Sequence, residues 1–402
     1  MGKTRKQYDG YQSYQYLEPE VDYRPFKLSR QDDRVPAYTV PVSETQEALV
    51  QQVLDEDMIV SLHEHTSIMP EDVHESVEYA RQGRERTGFA ALSRSGLDVV
   101  FENFMDGTST ITSLAGWKWT DVIHDLGMRF SDFDHQEMLF VARTTADLYR
   151  AKREGRIALV ASLESATPIE NEVDRVDVLY GLGVRAMGLV YSESNGLGSG
   201  LREPSDGGLT LFGRQVVRRM NRLGMAIDTA HCGDRTAIEA AEASEKPVLM
   251  THVGARALWD TNRMKSDDAL KAIAASGGLI GVEAAPHTTL TPTHPKHSIE
   301  SVMEHFEYIA NLVGIDHVTF GPDTLFGDHV GLHHAYASHL SIGSTQQGPT
   351  FEEVPYVKGL ENPAECFPNI IRWLVSHDYD REDIRKVAGG NAMRVLKAVW
   401  VR

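Results

Sequence analysis

Histidines and carboxylates recur in this chain at one kind of place, the carboxyl end of a short apolar run. His63 and His65 follow the run 58–62, and Glu164 closes 158–164. His231 ends 225–231, His252 ends 247–252, and Asp323 ends 317–323. Neutral imidazole suits zinc and other borderline divalent metals. A carboxylate has two oxygens and can span two cations roughly 3.5–4 Å apart. His63-Glu64-His65 alternates along an extended segment, so both rings point to one side and Glu64 to the other. An ionised Glu164 behind Ala158-Leu159-Val160-Ala161-Ser162-Leu163 is costly unless it is paired or metal-bound. His231 and His252 close consecutive runs, and Asp323 can ligate metal, orient a water or move its proton. Together they predict hydrolysis. A divalent pair lowers the pKa of a bound water towards neutrality, giving a bridging hydroxide, and polarises a carbonyl. Asp323 then takes the water's proton and passes it to a leaving amine. No serine or cysteine nucleophile is needed.

Residues so far apart meet only if the runs are neighbouring strands that open at one end. Three further runs, 97–103, 184–191 and 278–283, complete a set of eight. Their continuous Val, Leu, Ile and Gly content suits a parallel sheet covered on both faces. Helical patterns lie between them at 211–223, 235–243, 267–275 and 300–313, with Asp234 and Ser266 as candidate caps. Eight strands alternating with helices predict an α/β fold, a (β/α)8 barrel, whose active site opens at the strand carboxyl ends. The stretch 104–156 exceeds one crossover and reads as an insertion bordering the site. Its Phe104, Trp117 and Trp119 suit either an apolar wall or core packing.

The 402 residues suffice for one barrel domain at 47–402, preceded by a tyrosine-rich arm at 1–46. That arm lies over its own domain, over a neighbouring subunit, or partly free as a tail. A net charge of -18 disfavours nucleic acid, and no run is long enough to span a bilayer. The basic start, Met1-Gly2-Lys3-Thr4-Arg5-Lys6, leads into polar sequence rather than the apolar core of a secretory leader. Two cysteines, Cys232 and Cys366, make no disulfide framework, so cytoplasm is the expected compartment. Cys232 adjoins His231 but faces the other way, as a small buried thiol.

Several longer motifs accompany the ligands. They include Gly207-Gly208-Leu209-Thr210-Leu211-Phe212-Gly213-Arg214, Thr251-His252-Val253-Gly254-Ala255-Arg256-Ala257-Leu258 and the terminal Gly389-Gly390-Asn391. With these, the chain from about Met58 to Trp400 resembles the membrane (renal) dipeptidase family, metallopeptidases built on an amidohydrolase-like barrel. The resemblance implies two zinc ions bridged by Glu164, one held by the first-strand pair and the other by His231 and His252. It also implies that Arg256 grips the substrate's free carboxylate, with a rim salt bridge as the alternative, and that the protein forms a homodimer.

Two positions depart from the family. His65 stands where the family usually has aspartate. Tyr191, in Leu189-Val190-Tyr191-Ser192-Glu193-Ser194-Asn195, stands where a histidine touches substrate. A phenol donates a hydrogen bond to an oxyanion but brings no imidazolium charge. Tyr191 and Asn195 are therefore expected at the substrate. His329, His333, His334 and His339 follow Asp323 and either supply a replacement imidazole or form a covering loop. The expected substrate is a small molecule, a dipeptide or N-acyl amino acid, with zinc, manganese or cobalt as the metal. The same ligands would serve a non-peptide amide, a lactone or a decarboxylation. A catalytically silent barrel that only binds is the third reading.

Overall fold

The computed structural model describes residues 6–104, 118–337 and 348–400. Each of the eight predicted runs carries a strand. The strands are β1 (Val60–Glu64), β2 (Val99–Asn103), β3 (Leu139–Val141), β4 (Ile157–Leu163), β5 (Val184–Gly188), β6 (Ala226–Asp228), β7 (Leu249–Val253), β8 (Leu279–Val282) and β9 (Val318–Phe320). Hydrogen-bonded order is β1-β2-β4-β5-β6-β7-β8-β9, all parallel. The ring closes at its carboxyl end. There the Asp323 N–H donates to the His63 carbonyl at 3.1 Å, and the His65 N–H to the Thr324 carbonyl at 2.9 Å. The fold is the (β/α)8 barrel that the sequence predicts.

Val60, Leu62, Val99, Phe101, Val160 and Leu249 fill one buried cluster with the helix Asn391–Val399. A larger cluster joins the opposite strand faces to the surrounding helices. Both faces are thus covered, which is why the runs carry almost no polar alternation. The helix Leu211–Leu223 is capped by the Thr210 side chain and ends at Gly224, whose φ of 78° is left-handed. Ser266 caps Asp267–Ala275 as expected, but Asp234 is the first residue of its helix and Gly233 takes the cap position.

The insertion reads differently in three dimensions. Its helices, Trp119–Phe133 and Thr145–Glu154, flank β3, which pairs with β4 beside the main ring. Phe104 is buried against Phe130, and Arg175 lies over the Trp119 ring at 4.8 Å. Both aromatics pack in the scaffold; Trp117 lies outside the described residues. The arm crosses its own barrel and is fastened at Asp132, which accepts from Tyr11 Oη (2.7 Å), Ser13 Oγ (2.5 Å) and the Tyr14 N–H (2.6 Å). It ends where Ser43 caps the helix Glu44–Glu56, so the expected boundary at 46 falls inside that helix.

Candidate metal centre

β1 and β7 each carry a bulge where their histidines stand. Ser61 pairs with Val100 and Glu64 with Glu102, so β1 advances one residue more than β2. Met250 pairs with Ile280 and Val253 with Val282, an extra residue at Thr251-His252. Such bulges re-aim side chains. A Cβ on Gly281 or Gly321 would stand 2.0 or 2.1 Å from the Thr251 carbonyl oxygen, so only glycine lets the flanking strands pass that bulge.

The six expected ligands converge. His63 Nε2 lies 2.8 Å from Glu164 Oε1 and 3.4 Å from Asp323 Oδ1. His65 Nε2 lies 3.2 Å from Asp323 Oδ1, and His252 Nε2 lies 3.9 Å from Glu164 Oε1. The facing Nε2 atoms of His231 and His252 are 2.9 Å apart. Besides a set of His252, Glu283 and Asp323, two sets of donor atoms form around Glu164: His63, His65, Glu164 and Asp323; and Glu164, His231 and His252. Glu164 belongs to both. Its Oε2 is buried without a hydrogen-bond partner, so a polar atom is held ready at the floor of the site. A carboxylate common to two ligand sets fits a pair of divalent cations, and the N/O donors fit zinc, manganese or cobalt.

Neighbouring groups fix the rings. The Thr251 hydroxyl donates to Asp228 Oδ2 at 2.7 Å, and its oxygen lies 2.8 Å from His252 Nδ1. Having donated its proton, the hydroxyl accepts Nδ1–H and leaves the Nε2 lone pair for the cluster. The Asn103 amide lies 2.9 Å from His63 Nδ1. Glu64 turns away, as expected, and accepts the Thr324 N–H (2.9 Å) and Oγ1 (2.7 Å), tying down the loop that carries Asp323. Asp323 itself has φ 59°, uncommon outside glycine and tolerated by aspartate.

Burial, with Arg263 and His63 nearby, holds His231 and His252 well below the usual imidazole range, so both are neutral ligands at pH 7. Burial pushes Glu164 up, although His63 opposes it. Asp323 resists burial because His63 and His65 hold it well below the usual carboxylate range. Burial alone would lower His63, yet Asp323 and Glu164 drive it up to about 9. The carboxylates thus demand positive charge, which a bound cation would supply.

A cleft opens above the ligands, lined by Tyr191, Ser192, Arg202, Asn262, Arg263, His329 and His333 among others. Tyr191 stacks on His231 with ring centroids 4.2 Å apart. His329 and His333, one helical turn apart, contact each other at 4.6 Å on the cleft wall. His334 instead meets Glu353, and His339 lies outside the described residues. Two expected substrate residues are spent elsewhere. The Arg256 guanidinium is on Asp234 (2.5 Å) and the Met264 carbonyl (2.6 Å), the rim salt bridge, and does not line the cleft. The Asn195 amide donates to the Leu189 carbonyl (2.9 Å) and Thr167 Oγ1 (3.1 Å), holding its own loop. Arg263 lines the cleft in place of Arg256, paired with Glu283 and donating to the His252 carbonyl at 2.9 Å. Sequence reading missed it; the signal available was a second arginine in the same post-strand loop. Cys232 is buried outside both ligand sets.

Comparison with known proteins bears on this geometry. Dipeptidase tcpJ of Claviceps purpurea is 27% identical over 295 residues, 70% of this chain and 62% of that protein. Dipeptidase aclJ of Aspergillus oryzae is 28% identical over 280 residues, 69% of this chain and 59% of that protein. The match therefore spans about three fifths of the length of these curated relatives. An amidohydrolase from Pseudomonas aeruginosa superposes with a TM-score of 0.72 at 25% identity, over 88% of this chain and 99% of that one. A metallo peptidase from Rhodobacter sphaeroides, solved with a phosphinate mimic of the dipeptide L-Ala-D-Ala, shares the fold. Its TM-score is 0.62 at 19% identity, over 86% of this chain and 99% of that one. The model of the membrane dipeptidases, peptidase family M19, matches residues 47–336 and 328–401. Spanning nearly the whole barrel, that match makes this chain a member of the membrane dipeptidase family.

Proposed function

We propose that the protein is a zinc-dependent, dipeptidase-like hydrolase that cleaves the amide bond of a small carboxylate-bearing substrate, a dipeptide or an N-acyl amino acid. The observation that carries this reading is Glu164, common to two converging ligand sets. Two divalent cations bound there would lower the pKa of a water and polarise the amide carbonyl. Asp323 takes one proton from that water as its oxygen bonds to the carbonyl carbon. It then delivers the proton to the amide nitrogen as the C–N bond breaks, releasing an amine and a carboxylate. The Tyr191 phenol, stacked on His231 at the cleft, donates a hydrogen bond to the developing oxyanion. Arg263 receives the substrate carboxylate, since its Nη1 is buried without a partner while Nη2 is engaged by Glu283.

A second reading keeps barrel and cations but takes a non-peptide amide or a lactone; the phenol of Tyr191, where the family has an imidazole, favours it. The metal-loaded protein should be assayed on dipeptides, N-acyl amino acids, lactones and aromatic carboxylates. Release of free amine from the first two classes is the expected result, and activity on a lactone alone would overturn the proposal. Cytoplasmic residence and a homodimer belong to the same proposal. Both cysteines are free and buried, and no helix among the described residues is long and apolar enough to cross a membrane.

A further inference from the structure

The cleft holds a second arginine that the chemistry above does not use. Arg202 stands on a loop pinned at both sides of the site. The Leu201 N–H donates to the carbonyl of His231 at 3.0 Å, and the Arg202 N–H to that of Ser192 at 2.9 Å. A Cβ at Gly200 would stand 2.4 Å from the Tyr191 carbonyl oxygen, so the loop lies directly against the Tyr191-Ser192 backbone. The guanidinium therefore has a fixed root beside Tyr191, in the cleft that Arg263 also lines.

The two guanidinium groups of the cleft are unequal in their partners. Arg263 pairs with Glu283. Arg202 has no carboxylate within ion-pair distance among the described residues; Glu193 acts on it only through its field, and the Glu203 carboxylate accepts the Ser194 N–H at 2.6 Å. Nη1 of each arginine is buried without a hydrogen-bond partner. Burial chiefly, and the charge of Arg263 in smaller part, hold Arg202 below the usual guanidinium range, so the cation is uncomfortable as it stands. A guanidinium cannot escape by losing its proton, and its planar fork matches a carboxylate. An anionic group arriving in the cleft would satisfy both orphaned nitrogens and relieve the repulsion.

We propose that Arg202 is a specificity-determining residue that reads a second acidic group on the substrate, beside the terminal carboxylate held by Arg263. Both arginines line the one cleft, and the charge of Arg263 reaches Arg202, so both anions are assigned to one residue of the substrate. The favoured class is Xaa-Glu and Xaa-Asp dipeptides, or N-acyl derivatives of glutamate and aspartate. This rests on the hydrolase reading for its substrates, but the recognition can be measured without turnover.

The test pairs isosteres that differ only in charge. Dissociation constants of N-acetylglutamate and N-acetylglutamine for the metal-loaded full chain come from calorimetry, and kcat/KM is measured for Ala-Glu against Ala-Gln. The acid is expected to win by at least about tenfold in both, the worth of one charge-assisted hydrogen-bonded pair. Arg202→Met should bring both ratios to within about twofold, and Arg202→Lys should keep part of the preference. Melting curves establish that each variant is folded, and the wild-type ratios stand even if one is not. Equal affinity for acid and amide in the wild type, as when both arginines clamp one carboxylate, would overturn the proposal. So would a preference that survives in folded Arg202→Met. Should neither dipeptide be cleaved while the binding ratio holds, the hydrolase reading fails and the assignment of Arg202 stands.

Discussion

Thr251 shows how much of this site is set by a single hydroxyl. Its one proton is committed to Asp228, so its oxygen accepts from His252 and fixes which ring nitrogen is bare. Replacing it with valine keeps the shape but removes the acceptor. For Thr251→Val, metal affinity measured by chelator competition should fall about 10–100-fold, the usual cost of losing such a support, and the melting temperature should drop because Asp228 Oδ2 loses a buried donor. Unchanged affinity would mean that His252 needs no orientation. The six side chains that converge were legible in the sequence, because an ionisable group closing an apolar run has few structural excuses. Which arginine of that loop lines the cleft was not. Arg256 and Arg263 share one loop, and only the position of Asp234, contributed by a different helix, draws the first away from the cleft. The partners of Asn195 were hidden for a similar reason, since the Leu189 carbonyl and Thr167 Oγ1 take its amide within the loop.

At the scale of elements, the eight ring strands could be read from composition because burial on both faces leaves a continuous apolar signature. β3 could not, being three residues long inside a polar stretch. The bulges in β1 and β7 also escaped, since register depends on the partner strand rather than on the run itself. The segment entering the helix Cys366–Ser376 gives a pH prediction. Burial pushes both Glu361 and Glu365 up to about 7 from 4.5, with Arg34 partly offsetting the shift at Glu361. Their folded pKa values are raised, so the stability they contribute is full below about 4.5 and is lost as pH climbs through about 7. Glu365→Gln mimics the protonated side chain. Its melting temperature should match wild type near pH 4.5 and exceed it at pH 8. A constant difference across that range would show that Glu365 ionises freely in the folded protein.

Across the whole molecule, the N-terminal arm is tied to the rest of the chain by buried polar contacts at Asp98 and Asp132. The sequence left the arm's place open because its tyrosines carry no period, and its anchor at Asp132 lies more than a hundred residues away. Tyr11 and Ser13 meet Asp132 at separations of 121 and 119 residues. Asp132→Ala strands three donors in a buried setting. It should lower unfolding free energy by roughly 2–4 kcal/mol and open the arm to limited proteolysis ahead of the barrel. An unaltered denaturation midpoint and intact arm would show that its other contacts, such as the Lys6–Asp98 ion pair, suffice to secure it.

The central claim is that two ligand sets share Glu164, and metal stoichiometry of the purified full chain tests it most directly. Elemental analysis after equilibration with zinc, manganese or cobalt is expected to find about two divalent ions per chain, falling clearly below that in Glu164→Gln. A chain that takes up no divalent ion, or whose content is indifferent to Glu164, would contradict the account.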